Sequence, residues 1–164
     1  MNTLERGNYE MDDRMFRNAM GKFATGVTII TTELDGEVHG MTANAFMSVS
    51  LNPRLVVISI GEKAKMLNKI NESGKFAVNI LGEDQKKVSM QFAGQIKEEQ
   101  GEIEFETLGE LPVIKNSLAN ISCKVSSQQV AGDHTLFIGE VTDIVLREGT
   151  PLIFFEGKYG QLTN

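Results

Sequence analysis

Gly40-Met41-Thr42-Ala43-Asn44-Ala45-Phe46-Met47-Ser48-Val49-Ser50-Leu51-Asn52-Pro53 lies between two β-like runs, Val27–Thr32 and Leu55–Ile60. It combines small side chains with two hydroxyls, Ser48 and Ser50, one residue apart. In an extended chain these project to the same side, because strand side chains alternate with a period of two. Together with free backbone N–H groups they form a seat for a phosphate monoester. Ala43, Asn44 and Ala45 are slim enough to admit the edge of a flat ring. The stretch is longer and more polar than a turn requires. It therefore reads as an interruption between strands that holds a phosphorylated planar ligand, with an ordinary sheet edge as the other reading.

Outward from this stretch, strand signals dominate. Gly26–Glu33 and Val38–Asn44 read as strands joined at Asp35-Gly36, a tight-turn dipeptide. Leu55–Ile60 is a nearly continuous apolar run, as expected of a strand buried on both faces. Phe76–Leu81, Ala119–Val130, Thr135–Arg147 and Leu152–Glu156 continue the series. Helices are predicted over Asp12–Phe23, Ala64–Glu72 and Asp84–Phe92. In the first, Asp12 or Asp13 is the cap and Phe16, Ala19, Met20 and Phe23 share a face; in the last, Asp84 is the cap. Ile96–Glu110 is rich in glutamate and reads as a surface excursion, mobile in part. Strands with connecting helices place the chain in a β-rich class with a closed or partly closed barrel.

The 164 residues suit one domain, able to hide about 70% of its unfolded surface. Residues 1–11 read as a flexible lead and 12–164 as the domain. The formal net charge of −6, without a basic cluster, argues against a nucleic-acid groove and an anionic membrane surface. No apolar run approaches the length of a membrane span or a signal-peptide core. The single cysteine, Cys123, permits no internal disulfide, which points to a reduced, cytoplasmic compartment. Cys123 sits among apolar neighbours, where an inert thiol is the default.

Two histidines and one cysteine supply no metal-ligand set of the usual spacing, so no metal is expected. No Gly-x-Gly-x-x-Gly follows a predicted strand, so a separate Rossmann site for a nicotinamide nucleotide is absent. Lys63-Ala64-Lys65 opens a helix, whose N-terminus suits an anion, although both lysines also read as solvated surface. Gly132-Asp133-His134 is either a plain hairpin turn with a solvated histidine or a site at a hairpin tip. Tyr159 reads as a stacking wall or as a core or interface residue. Thr25 offers a hydroxyl at the entry to the first strand, where a simple helix stop is the alternative. Phe92 reads as core on a helix face.

Several segments, taken in chain order, carry a resemblance. They are Phe23–Thr32, Gly40–Pro53, Glu62–Leu67, Phe76–Leu81, Phe92-Ala93-Gly94, Gly132-Asp133-His134, Pro151–Phe155 and Gly157-Lys158-Tyr159. The chain resembles the flavin reductase-like domain, the FMN-binding split-barrel family that supplies reduced flavin to two-component monooxygenases. The resemblance implies a mainly β (α+β) split barrel with short connecting helices and an N-terminal helix. It implies hydride transfer from NADH or NADPH to FMN or FAD, a homodimer with flavin near the subunit interface, and a monooxygenase partner. A flavoredoxin-like electron carrier without its own nicotinamide activity is the alternative.

By resemblance, the segment from Met41 and Thr42 onward runs along the flavin. Ala43, Asn44, Ala45 and Phe46 line the ring, while Met47, Ser48, Val49 and Ser50 lie nearer the ribityl chain and phosphate. Lys63, Ala64 and Lys65 join the cofactor site, as do Thr25 and Phe92. Gly132, Asp133 and His134 stand at its mouth, His134 contacting nicotinamide or flavin, with Tyr159 placed similarly. Histidine suits that position because it changes charge near neutral pH. Asn44 and Met47 depart from the family pattern, which often has Ser, Thr or another small residue there.

Overall fold

A computed structural model describes residues 11–97 and 103–163. Residues 1–10 of the expected lead and 98–102 of the acidic stretch lie outside the described residues. Among the described residues the architecture is mostly β, with three α-helices. α1 (Asp13–Gly21) precedes β1 (Thr25–Gly26), β2 (Thr28–Leu34), β3 (Glu37–Ala43), β4 (Phe46–Leu51) and β5 (Arg54–Gly61). Then come α2 (Lys65–Ser73), β6 (Lys75–Ile80), a 3₁₀ turn (Glu83–Gln85), α3 (Lys86–Phe92) and the hairpin β7 (Phe105–Leu108) and β8 (Leu111–Ile114). The long strands β9 (Ala119–Ala131) and β10 (His134–Leu146) follow, and β11 (Leu152–Phe155) and β12 (Lys158–Gln161) close the chain.

Seven strands form one sheet in the order β3-β2-β6-β9-β10-β5-β4. Its two edge strands, β3 and β4, are consecutive in the chain and joined only by Asn44-Ala45. Two residues reach no more than about 11 Å across the three peptide links. The sheet must therefore curl until its edges approach at that point. No ladder pairs β3 with β4.

β2 is buried on both faces: Ile30 enters the cluster of Ile58, Phe76 and Phe137, while Ile29 enters that of Val27, Leu81 and Leu152. α2 drops Met66 and Ile70 into the first cluster. It stops at Gly74, which adopts the left-handed φ of +71° that glycine tolerates without a Cβ clash. Asp35 and Gly36 are both left-handed, giving the expected tight turn between β2 and β3.

Several expectations are corrected. Gly40–Pro53 is two strands with a two-residue break rather than a long interruption. A bulge in β4 sets Ser48 opposite Val56 and Ser50 opposite Leu55. Those partners are consecutive on β5 and face opposite sides, so the two serine hydroxyls do not share a side. β5 is buried on one face only: Val56, Ile58 and Ile60 are core, whereas Leu55, Val57 and Ser59 are half-buried. Asp84 does not cap α3, since it lies within the 3₁₀ turn, where Gln85 Oε1 instead accepts from the Gly82 N–H at 3.0 Å. Asp12 does cap α1, accepting from the Met15 N–H at 2.8 Å, but no α1 residue is buried and Phe23 lies past its end. The acidic stretch is partly ordered as β7, and its glutamates pair: Glu104 with Lys115, Glu106 with Arg147, and Glu110 with Lys75. β12 emerges from Gly157–Gly160 because Glu156 and Gly157 make a left-handed turn that folds the chain back on β11.

Candidate functional site

Where the curled sheet meets its own edge, a cleft of about 700 Å³ opens. One wall is Phe23–Thr28, leading out of α1 into β2. The other is the break between β3 and β4, Asn44 and Ala45, continued by Phe46 and Met47. The outward face of β5 (Val57, Ser59) and Leu136 of β10 form its floor, with Met20, Ile58 and Ile80 also in the lining. The narrow walls arise from residue size: Ala24, Gly26 and Ala45 carry little or no side chain, so backbone can come close to whatever enters.

Polar groups in this cleft are few. The Thr28 hydroxyl is engaged, donating to the Ala43 carbonyl at 2.7 Å. Thr25 Oγ1 is buried and has no hydrogen-bond partner among the described residues. Leaving a buried hydroxyl unpaired costs about 1–3 kcal/mol, so a partner delivered by a ligand would recover that penalty. An apolar slot with slim walls and an orphaned hydroxyl fits a planar tricycle bearing ring heteroatoms.

Two residues further along β10 from Leu136, about 6–7 Å, stands His134. Gly132 and Asp133 form the two-residue turn between paired Ala131 and His134, Gly132 taking a φ of +62°. His134 is opposite Gly61 of β5, and the Asp133 carbonyl accepts from the Glu62 N–H at 2.9 Å. These contacts bind the hairpin tip to the turn before α2. His134 Nδ1 lies 2.7 Å from Asp133 Oδ1. The hydrogen bond and charge of His134, with a smaller contribution from Lys63, hold the Asp133 carboxyl below its ordinary value. Both predicted lysines are exposed, Lys63 in the turn before α2 and Lys65 on its first turn. Ala64 is the helix N-cap and makes no side-chain capping bond.

The remaining predicted residues fall in four places. Met41 packs against the main core. Thr42, Ala43 and Asn44 border a second recess of about 180 Å³ together with Tyr159. Tyr159 is anchored: its hydroxyl lies 2.7 Å from Ser89 Oγ, and its ring meets Phe154 edge-on at 5.6 Å. Phe92 sits on Gly40 of β3, where an added Cβ would come within 2.4 Å of its ring, and does not line the cleft. Ser48, Val49 and Ser50 lie along β4 beyond the cleft lining.

Most of the cleft lining escaped the sequence reading, including the wall of Ala24, Gly26 and Thr28, the outward β5 residues Val57 and Ser59, and Leu136. For β5 the signal was present, since Ser59 is the one polar residue in Leu55–Ile60 and shares its strand face with Val57. Elsewhere, burial pushes the Cys123 thiol up to about 12, in keeping with an inert side chain. Among the described residues no cluster of His, Cys, Asp and Glu could hold a metal, and no helix is long and apolar enough to cross a membrane.

Comparison with known proteins adds to this geometry. The sequence model of the flavin reductase like domain matches residues 20–163. An NADH-dependent flavin reductase of Rhodococcus sp. is 44% identical over 149 residues, 89% of this chain and 84% of that protein. The 4-hydroxyphenylacetate 3-monooxygenase reductase component of Thermus thermophilus is 38% identical over 152 residues, 90% and 95% of the two chains. The solved structure described as flavin reductase PheA2 in native state matches with a TM-score of 0.91 and 70% identity, covering 94% of this chain and 100% of that one.

Proposed function

The chain belongs to the flavin reductase like domain family, and on that premise we propose that it is an NADH-dependent flavin reductase supplying reduced flavin to a monooxygenase. The observation that carries this reading is the slim-walled cleft between Thr25–Thr28 and Asn44–Met47, with an unpaired hydroxyl beside it. NADH as donor, in preference to NADPH, follows the Rhodococcus relative. FMN and FAD are both admitted. Residues 12–164 act as one split-barrel domain, the split lying between the unpaired edges β3 and β4.

When bound, flavin supplies the hydride acceptor and NADH the hydride. The chain's part is positional. Ala45 and Gly26 let backbone approach the ring, Thr25 offers its hydroxyl, and Val57 and Leu136 keep water from one face. His134, oriented by Asp133, stands at the mouth to hold the nicotinamide against the ring. Lys63 and the first turn of α2 offer positive potential to a phosphate. The absence of a strong general acid–base set suits a reaction in which the two nucleotides carry the chemistry.

The test is anaerobic mixing of the purified protein with FMN or FAD and with NADH or NADPH, followed at the nicotinamide and flavin absorption bands. NADH oxidation coupled to flavin bleaching is expected, faster than with NADPH. Protein that neither quenches flavin fluorescence nor accelerates NADH oxidation overturns the reading.

A homodimer belongs to the same proposal, in a cytoplasmic setting consistent with the single buried thiol. α1 exposes Phe16 and Met20, and β4 exposes Met47, Val49 and Leu51, a concentration of apolar side chains that a lone soluble subunit seldom presents. Light scattering is expected to give twice the 18.1 kDa chain mass. Phe16→Glu, which places a charge on that face, is expected to shift the mass toward one chain. A wild-type mass of one chain at micromolar concentration would remove the dimer from the proposal.

A further inference from the structure

Thr42, Ser89 and Tyr159 form a continuous hydrogen-bonded link across three elements, β3, α3 and β12. Thr42 Oγ1 donates to the Ser89 carbonyl at 2.6 Å, and Ser89 Oγ lies 2.7 Å from the Tyr159 hydroxyl. Ser89, in the middle of α3, is fully buried. Tyr159 is held in turn by the edge-on Phe154 ring and by Lys86 Nζ, 5.5 Å from the centre of its own ring.

The place where the link ends gives it meaning. Thr42 lies on β3, an edge strand that, among the described residues, pairs only with β2. The next residues are Ala43, Asn44 and Ala45, which carry the chain across the split and form the cleft wall. An edge strand held by one ladder alone is free to shift its outer end, and a cleft that grips a flat ring tolerates little shift. Thr28 steadies Ala43 from the inner side through its bond to the Ala43 carbonyl. From the outer side the anchor on Thr42 is α3, itself fixed to β12 by the Ser89–Tyr159 contact.

Resting on the reading of the cleft as a flavin site, we propose that Ser89 is a positioning residue for flavin binding. It ties β12 and α3 to the cleft wall, so Tyr159 acts on the flavin site through Ser89 as well as by any contact of its own. Ser89 carries no recognisable sequence signal, because a serine within a short helix reads as a solvated or neutral position.

FMN dissociation constants, read by fluorescence quenching, test this on the full chain. Ser89→Ala, which keeps the backbone carbonyl that Thr42 bonds, is expected to weaken FMN binding about 5–10-fold, the loss of the one bond to Tyr159, with turnover at saturating FMN within about twofold. Tyr159→Phe is expected to weaken FMN similarly, and the double variant no further than the weaker single one, because both break one link. Thr42→Val is expected to lose affinity and Thr42→Ser to restore it. Melting temperatures recorded alongside distinguish the alternative: a lowered melting temperature with unchanged FMN affinity marks a purely structural contact and overturns the proposal. Multiplying losses in the double variant overturn it as well. Should Ser89→Ala fail to fold, the Thr42 pair and Tyr159→Phe decide, since they leave Ser89 in place. A wild-type protein without FMN affinity removes the flavin reading itself, and the positioning role with it.

Discussion

Asn79→Ala is expected to lower the melting temperature by about 10 °C or more, the largest effect of any single truncation outside the apolar core. Asn79 is fully buried and spends all four of its hydrogen-bonding positions. Its Nδ2 donates to the Ile29 carbonyl at 2.9 Å and to Thr31 Oγ1 at 3.0 Å. Its Oδ1 accepts from the Ile114 N–H at 2.9 Å and from Asn120 Nδ2 at 2.8 Å. One side chain thereby joins β2, β6 and β9 to the end of the β7–β8 hairpin. Thr31 extends the link to the Pro112 carbonyl, and Arg147 donates to Asn120 Oδ1 at 3.0 Å. Truncation leaves buried partners without bonds, each costing about 1–3 kcal/mol, for a total of roughly 3–5 kcal/mol. That is a large part of a typical 5–15 kcal/mol stability. At this chain length each kcal/mol moves the midpoint by about 2–4 °C. Circular dichroism melts check it, and a shift under about 2 °C would show that the hairpin is held by other contacts.

The second large effect is on turnover. His134→Ala is expected to reduce kcat/KM for NADH by about 10–100-fold while the FMN dissociation constant changes less than about threefold. The magnitude corresponds to one charge-assisted hydrogen bond of about 1.5–3 kcal/mol, each 1.4 kcal/mol being a factor of ten. The unequal response is what matters, because His134 lies two residues along β10 from the cleft residue Leu136 and is not itself among the lining residues. Equal losses of NADH turnover and flavin affinity would contradict the assignment and favour a carrier without nicotinamide activity. Asp133→Asn probes the orienting contact. The Asp133 carboxyl is held below its ordinary value, so its anion persists as pH falls through the usual carboxylate range and is lost only below it. Wild-type turnover should therefore keep this contact through mildly acid pH. Asp133→Asn should lower turnover at neutral pH, where the anion would otherwise be present.

Much of the fold could be read from local pattern. Asp12 caps its helix, Asp35-Gly36 makes its turn, and the apolar runs at 76–81 and 119–130 become strands, each because a short-range signal agrees with the tertiary answer. The failures share one cause. β5 reads as buried on both faces because its residues are apolar, yet its outer face floors the cleft, and the ring of a ligand is as good a neighbour for Val57 as another side chain. Ser48 and Ser50 look like a one-sided pair until a bulge breaks the alternation. The acidic stretch looks like a solvated loop because its cations, Lys75, Lys115 and Arg147, are distant or masked in sequence by intervening turns.

The site divides along the same line. Of the predicted residues, Thr25, Asn44, Ala45, Phe46 and Met47 line the cleft, whereas the lining residues Ser59 and Leu136 were not predicted. Their roles depend on which strand lies across from which.

By itself the amino-acid sequence determined the strand-rich class, the capped helix, the tight turns and the family to which the segments from Phe23 to Tyr159 belong. The class, the helix and the turns rest on local backbone preference and residue size, which need no partner, and the family on the resemblance of those segments in their order. Only the tertiary structure decided that β3 and β4 become opposite edges of one curled sheet, that their two-residue bridge walls a cleft, and that the Asp133-His134 hairpin tip docks on Gly61 and Glu62 before α2. Such proximity is set by long-range pairing and burial, which order residues in space without regard to their separation along the chain.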